Sequence, residues 1–448
     1  MLSPEAATDR AADLVARARR AGAVAADAVY SASASEGIQV RLGKLEDVER
    51  SEGEHMGLRV FIGNCSASIG SSDLSGAALD ELAQRAVAMA RSAPEDRFAG
   101  LAPQDMLAHA PFADLDLVDA TDPGPQALRA AAEEAEDAAR AITGVTNSDG
   151  ASASAGSSVF SLATSHGFAA GYQGTNYSIS ASVVAGEGAE KQRDSAWRQA
   201  RHRGDLPAPA EIGTLAGTRA VARLRPGRLR SGPMPVVFDP RVSSSIIGHL
   251  ISAMSGSAIA RRSSFLLGKR DDQLFAPELL LVEDPHRPRG SRSRAFDGEG
   301  LPTRARNLVE AGHITGWLMD SASARQLGEQ PTGHAARGGG GAPGVTVGNV
   351  HLAAGALSPE ALIADIAEGV LVTELIGQGV NGVTGDYSRG ASGFRITNGQ
   401  IAGPVAEFTV AGNLLAMFAA MVPANDLEWH RPINVPTLRI DGMIVAGD

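Results

Sequence analysis

Apolar residues recur at every second position in several stretches of this 448-residue chain: Ile38, Val40 and Leu42, then Leu58 and Val60, then Tyr177, Ile179, Ala181 and Val183. Side chains of a strand alternate between two faces, so this spacing means strands buried on one face. The chain also has 52 glycines scattered among short apolar segments, which implies many tight turns. Such a chain must pair most of its strands locally, as antiparallel hairpins and meanders.

Helical patterns interrupt the strands. Residues 4–22 read as an amphipathic helix ending at Gly22. Ser75 is placed to cap a helix through Leu79, Leu82, Val87 and Met89 that stops before Pro94. Residues 123–142 and 207–222 read as two more helices, and 92–111 as a loop. Ser165-His166-Gly167 is a hairpin turn between 159–163 and 168–172, and Asn398-Gly399 is a second, stronger one. Ser358-Pro359-Glu360 opens a helix expected to run to about Gly369. The fold class expected is α+β, in two domains. Residues 1–225 would place helices on a mostly antiparallel sheet, and 226–448 would be β-rich. The boundary falls in RLRPGRLRSGPMP (223–235), where three prolines and two glycines separate periodic segments.

Charge and composition exclude several functions. A formal charge of −11 repels polyphosphate, so direct nucleic-acid binding is not expected. Two arginine-rich stretches, 219–230 and 286–296, lack interleaved aromatics and read as solvated linkers or loops. The single cysteine, Cys65, cannot form an internal disulfide and reads as a buried small apolar residue. No apolar run reaches membrane-spanning length, and the first residues lack the apolar centre of a signal peptide, so the cytoplasm is the expected location. GGGGAPG (338–344) lacks the Gly-Lys-Ser/Thr ending of a phosphate loop and reads as a flexible loop.

No local motif nucleates a catalytic centre. The ten histidines do not cluster, there is no Cys-x-x-Cys, and GASGF (390–394) has the wrong spacing for a nucleophile elbow. The acid pairs Glu133-Glu134 and Asp271-Asp272 read as surface charges. One histidine stands out. After the strand PVVF and Asp239-Pro240, the residues Val242, Ile246, Leu250 and Met254 form an apolar helical stripe, and His249 lies at its edge. On spacing alone it is a hydrogen-bonded interior histidine or a working base.

Two long blocks carry a resemblance. DGEGLPTRARNLVEAGHITGWLMDSASARQLGEQPTGHAARG (297–338) and GASGFRITNGQIAGPVAEFTVAGNLLAMF (390–418), followed by Asn425-Asp426-Leu427, resemble the signature regions of the TldD/PmbA family. SGSAIARRSSFLLGK (255–269) is similar to the PmbA, or TldE, kind of subunit. The resemblance implies a two-subunit zinc metalloprotease acting on small or unfolded peptides. The TldD kind carries H-E-x-x-x-H on the helix after the strand and a C-terminal cysteine. Aligned to that pattern, Gly248 stands at the first histidine, His249 at the glutamate and Ala253 at the second histidine. The cysteine has no counterpart, since the chain passes from Trp429-His430 to its closing strands.

The resemblance therefore implies no catalytic residue and no metal in this chain, with zinc held only by a TldD-like partner in a heterodimer. Two alternatives stand beside it. One is a homodimeric peptide-binding or scaffold protein. The other is an independent metallopeptidase with a re-invented site, drawing on His249, His313, His334 or Asp386.

Overall fold

A computed structural model describes residues 1–447. Its first helix, α1 (Pro4–Arg20), is capped by the Ser3 hydroxyl and followed by Gly22 at φ +109°. Then comes an antiparallel meander of long strands: β1 (Ala25–Arg41), β2 (Lys44–Ile62) and β3 (Cys65–Ser71). Helix α2 (Gly76–Ser92) is capped by Ser75, as its sequence predicts. After the 93–123 connection and α3 (Gly124–Arg140), β4 (Val145–Thr164), β5 (Ala169–Ala185) and β6 (Gln192–Ala200) complete a six-stranded sheet in the order β3-β2-β1-β4-β5-β6. The stretches 168–172 and 177–183 are parts of one strand, β5. Helix α4 (Pro209–Ala222) ends this half.

Alternation along the strands gives the sheet two different faces. Ala28, Tyr30, Leu58 and Val60 pack under α1 and α2, and Ile38, Val40, Ala151 and Ala153 pack under α3 and α4. All four helices therefore cover one face, side by side. The other face presents Val29 and Leu162, which pack with Phe296 and Leu301 from the second half of the chain. Asp27 and Arg59 are cross-strand partners on this same face. There they meet Glu299 and Arg337, and Arg337 pairs with Asp27.

The second half starts with β7 (Gly232–Phe238) and α5 (Pro240–Ala253). The short strands β8 (Leu281–Asp284), β9 (Arg306–Glu310) and β10 (His313–Ile314) come next, then the two-residue strands β11 (Ala335–Ala336) and β12 (Gly344–Val345) and then β13 (Asn349–Leu352). The longer strands follow: β14 (Glu368–Ile376), β15 (Asp386–Thr397) and β16 (Gln400–Asn413). The chain closes with β17 (Met421–Pro423), β18 (Ile433–Asn434) and β19 (Leu438–Ala446). One sheet runs β16-β15-β14-β7-β19-β17, and β16 also pairs with β19, which curls it into a barrel-like unit. The Asn398-Gly399 turn joins β15 to β16 with both residues at positive φ, +48° and +74°. That is the conformation a two-residue hairpin of this twist requires. The arrangement is α+β. No helix among the described residues is long and apolar enough to cross a membrane.

Three expectations need correction. The helix capped by Ser358 covers only Pro359–Ile363. From Glu368 the backbone is taken by β14, whose Val370 pairs in parallel with Val236 of β7. Residues 338–344, expected as a flexible loop, pack against the first sheet. A Cβ on Gly57 would lie 2.1 Å from the Gly339 carbonyl oxygen, and one on Gly340 would lie 2.7 Å from the Ile69 backbone. Glycines there permit close approach of two backbones. Cys65, expected to be buried, is only half-buried, at the start of β3.

Candidate functional site

The candidate site lies along α5. The Asp239 carboxylate accepts from the Arg241 N–H at 2.8 Å and starts the helix, and Pro240 fits the first turn because its missing N–H would be unpaired there. Ile246, Ile247, Leu250 and Met254 enter the core of the second half, against Val236, Phe238, Val370 and Val372. This packing fixes which side of the helix remains free.

Gly248, His249 and Ala253 sit differently on that helix. A Cβ built on Gly248 meets no atom within 4 Å. Ala253 is buried in the core, and its carbonyl accepts the Ser264 hydroxyl at 2.7 Å. His249 is half-buried, and its ring stands edge-on to Tyr387 of β15 with centroids 6.2 Å apart. Its Nε2 has no protein hydrogen-bond partner, so the expectation of a hydrogen-bonded interior histidine is not met.

Two further groups complete the site. The Tyr387 hydroxyl is buried and has no protein partner, and neither does Nε of Arg389, two residues along the same face of β15. The guanidinium lies close to the phenol without a well-formed hydrogen bond to it. Burial pushes Tyr387 up to about 12 and outweighs Arg389, which pulls the other way. Burial, and then the Arg389 charge, hold His249 below the ordinary histidine range. At neutral pH the site therefore offers a neutral imidazole, a phenol O–H and a guanidinium. Such donors suit carbonyl oxygens or an anion.

They do not suit zinc. Gly248 and Ala253 carry no ligand atom, Arg389 adds positive charge beside the only imidazole, and zinc needs three or four N, S or O ligands. No group of three His, Cys, Asp or Glu residues placed to hold a metal exists among the described residues. The other residues considered from sequence are engaged outside this group, each with its own partner. His313 Nδ1 is 3.1 Å from the Asp272 carbonyl, and the Asp386 carboxylate accepts from Thr384 and Asn413. The His334 ring is buried between Thr332 (2.7 Å) and Glu283 (2.8 Å). Tyr387 and Arg389 carry no signal of their own in the sequence. Only the two-residue spacing in YSRGA marks them as sharing a strand face.

One consequence is directly measurable. Glycine inside a helix costs about 0.5–1 kcal/mol relative to alanine, and Gly248 has room for a methyl group. Gly248→Ala is expected to raise the unfolding free energy by that amount, read as a higher urea midpoint at unchanged slope. A destabilised variant would mean that the free face of α5 is filled.

Residues 26–90, 119–224 and 231–447 match, in order, the models of PmbA/TldA metallopeptidase domain 1, central domain and C-terminal domain. The chain is 36% identical to Metalloprotease PmbA of Escherichia coli O157:H7 over 425 residues, covering 94% of this chain and 92% of that protein. It is also 36% identical to a PmbA homologue of Haemophilus influenzae over 440 residues, covering 96% and 94%. A crystal structure of a proposed modulator of DNA gyrase from Bacteroides thetaiotaomicron superposes with a TM-score of 0.91 at 26% identity, over all of both chains. TldE from Thermococcus kodakarensis shares the fold, with a TM-score of 0.86 at 20% identity over 98% of this chain and 100% of its own.

Proposed function

Because the chain belongs to the PmbA/TldD metallopeptidase family, we propose that it is the metal-free subunit of a two-subunit zinc peptidase of the cytoplasm. A TldD-like partner supplies the zinc, and the pair acts on small or unfolded peptides. The observation that carries this reading is the composition of α5. Positions 248 and 253 have no ligand atom, and position 249 has an imidazole where the hydrolytic chemistry of the zinc-bearing kind uses a carboxylate. A set of hydrogen-bond donors takes its place: Tyr387, Arg389 and the His249 ring.

In this role the chain binds and orients peptide and leaves bond cleavage to the partner. Residues 44–55 of β2 support it. The β3 pairing begins only at Met56, so this stretch has one unpaired edge. An extended peptide can add to such an edge through main-chain hydrogen bonds that do not depend on its sequence.

The test is elemental analysis and peptidase assay of the chain alone, then with a zinc-bearing relative encoded in the same genome. The expected result is no stoichiometric zinc and no cleavage alone, with co-elution and cleavage on mixing. Stoichiometric zinc with chelator-sensitive cleavage by the chain alone would sink the proposal. Self-association without capture of the relative would favour the homodimeric scaffold instead.

A further inference from the structure

The two arginine-rich stretches are not both solvated loops. Arg219 lies on α4 and Arg223 is the residue that caps its end, and residues 287–291 run beside the loop that carries Glu428 to Arg431. Together with β6 they line a cleft between the two halves of the molecule. It consists of two hollows of about 540 and 680 Å³ that share Arg198, Glu428, His430 and Arg431.

Charge in the first hollow is unevenly matched. Its carboxylates are already engaged. Asp194 binds Arg223 at 3.4 Å and Arg241 at 3.1 Å, and Asp239 also binds Arg241. Glu374 binds Arg223, Glu428 binds Arg198 at 3.1 Å, and Asp426 accepts from the Thr437 N–H and hydroxyl. Arg219 and Arg431 have no carboxylate at ion-pair distance among the described residues. Arg219 donates only to the Ser195 carbonyl, at 3.3 Å. Arg431 lies over the Trp197 ring at 5.0 Å and donates to His430 Nε2 at 3.2 Å.

That last bond sets the tautomer. With Nε2 accepting, the ring proton of a neutral His430 is on Nδ1, which is buried and has no hydrogen-bond partner. The Glu428 carboxylate is 3.4 Å away but out of line. Burial, and then Arg198, Arg431 and Arg219, push His430 down to about 4, so the ring is neutral at physiological pH. Burial likewise lowers Arg219 to about 10, with the Arg241 charge next in weight. Two half-buried cations and an unused N–H donor around one hollow are costly unless a counter-charge joins them.

We propose that this cleft is an oxoanion site that takes the free C-terminal carboxylate of a peptide, held by Arg219 and Arg431 beside the neutral His430 ring. The adjoining hollow has room for several residues, which an inorganic anion would leave empty. Trp429 at its rim, with Arg287 over its ring at 3.6 Å and the tilted His351 ring at 4.7 Å, offers an apolar wall for the neighbouring side chains. This inference rests on the reading of the chain as a peptide-handling subunit.

The test uses the full chain without any zinc-bearing partner, so that failure of assembly and failure of this site are separate results. Calorimetry and tryptophan fluorescence would be read with an N-acetylated tetrapeptide as free acid, with its C-terminal amide, and with inorganic phosphate. The free acid is expected to bind once per chain, and the amide about tenfold more weakly or worse. Arg219→Gln and Arg431→Gln should each weaken the acid by a similar factor and leave the amide unchanged, with unfolding midpoints confirming that the variants are folded. Equal binding of acid and amide, or acid binding indifferent to both substitutions, would overturn the proposal. So would phosphate binding that depends on Arg219 while the free acid does not bind.

Discussion

Arg337→Ala is expected to destabilise the protein by about 3–5 kcal/mol, the cost of leaving a buried charge without its partner. Arg337 and Asp27 are both buried, with side-chain exposures of 0% and 1%, and they pair directly. Burial alone would raise the Asp27 pKa, but Arg337 and then Arg59 outweigh it and hold the carboxylate ionised. Arg59 reaches Asp27 at 2.9 Å through Nε and lies 3.5 Å from Glu299. Without Arg337, one cation serves two buried carboxylates, Asp27 and Glu299. The pair also joins the first sheet to the second half, so its loss should loosen the contact of Val29 and Leu162 with Phe296 and Leu301. Urea unfolding measures the effect. Asp27→Asn combined with Arg337→Met should recover part of the loss, because neither charge is then left alone. A loss below about 1 kcal/mol in the single variant would mean that the pair is hydrated and behaves like a surface bridge.

Stability should also fall as pH rises from about 4 to neutrality because of Asp297. Its carboxyl is 1% exposed, and burial followed by the nearby Glu299 pushes it up to about 7. Backbone N–H groups of Glu299, Leu301 and Ala335 favour the ionised form but do not outweigh burial. A carboxyl with a raised folded pKa contributes stability that is complete below its unfolded value, here 3.8, and is lost as pH passes its folded value. The window runs from about 4 to 7, and at 1.36 kcal/mol per unit the full effect is about 4 kcal/mol. His430 acts in the opposite sense. Its folded pKa of about 4 lies below the unfolded value of 6.5, so its contribution is lost as pH falls. The informative quantity is therefore the difference between wild type and Asp297→Asn. The wild type should lose about 3 kcal/mol relative to the variant between pH 5 and pH 8, so the gap between them should change by that amount. A gap that stays constant would show that Asp297 is ionised throughout.

Much of the architecture was legible before the structure because its signals are local. Ser75 caps its helix from the preceding position, Gly22 takes the positive φ that follows α1, and Asn398-Gly399 adopts the two left-handed conformations of its hairpin. Each signal acts within a few residues of the feature it controls. The misreadings lie where a distant element intervenes. The Ser358 helix is cut short because β7, more than a hundred residues earlier, claims the following segment as a parallel neighbour. GGGGAPG reads as a flexible loop until Gly57 and Ile69 are seen beneath it.

The candidate site divides in the same way. That Gly248 and Ala253 lack ligand atoms is a property of residue type and needs no coordinates. The α5 stripe placed His249 at its edge, since helical spacing alone sets that angle. The groups around it are another matter. Tyr387 and Arg389 reach His249 only because β15 folds across α5 from far along the chain. Arg219 and Arg431 come to share a hollow only when the two halves meet. Periodicity and capping act through neighbouring backbone, so the order of residues sets them directly. Charges that meet across a cleft, and the donors left unpaired there, depend on how two sheets close over one another, and only the tertiary structure decides that.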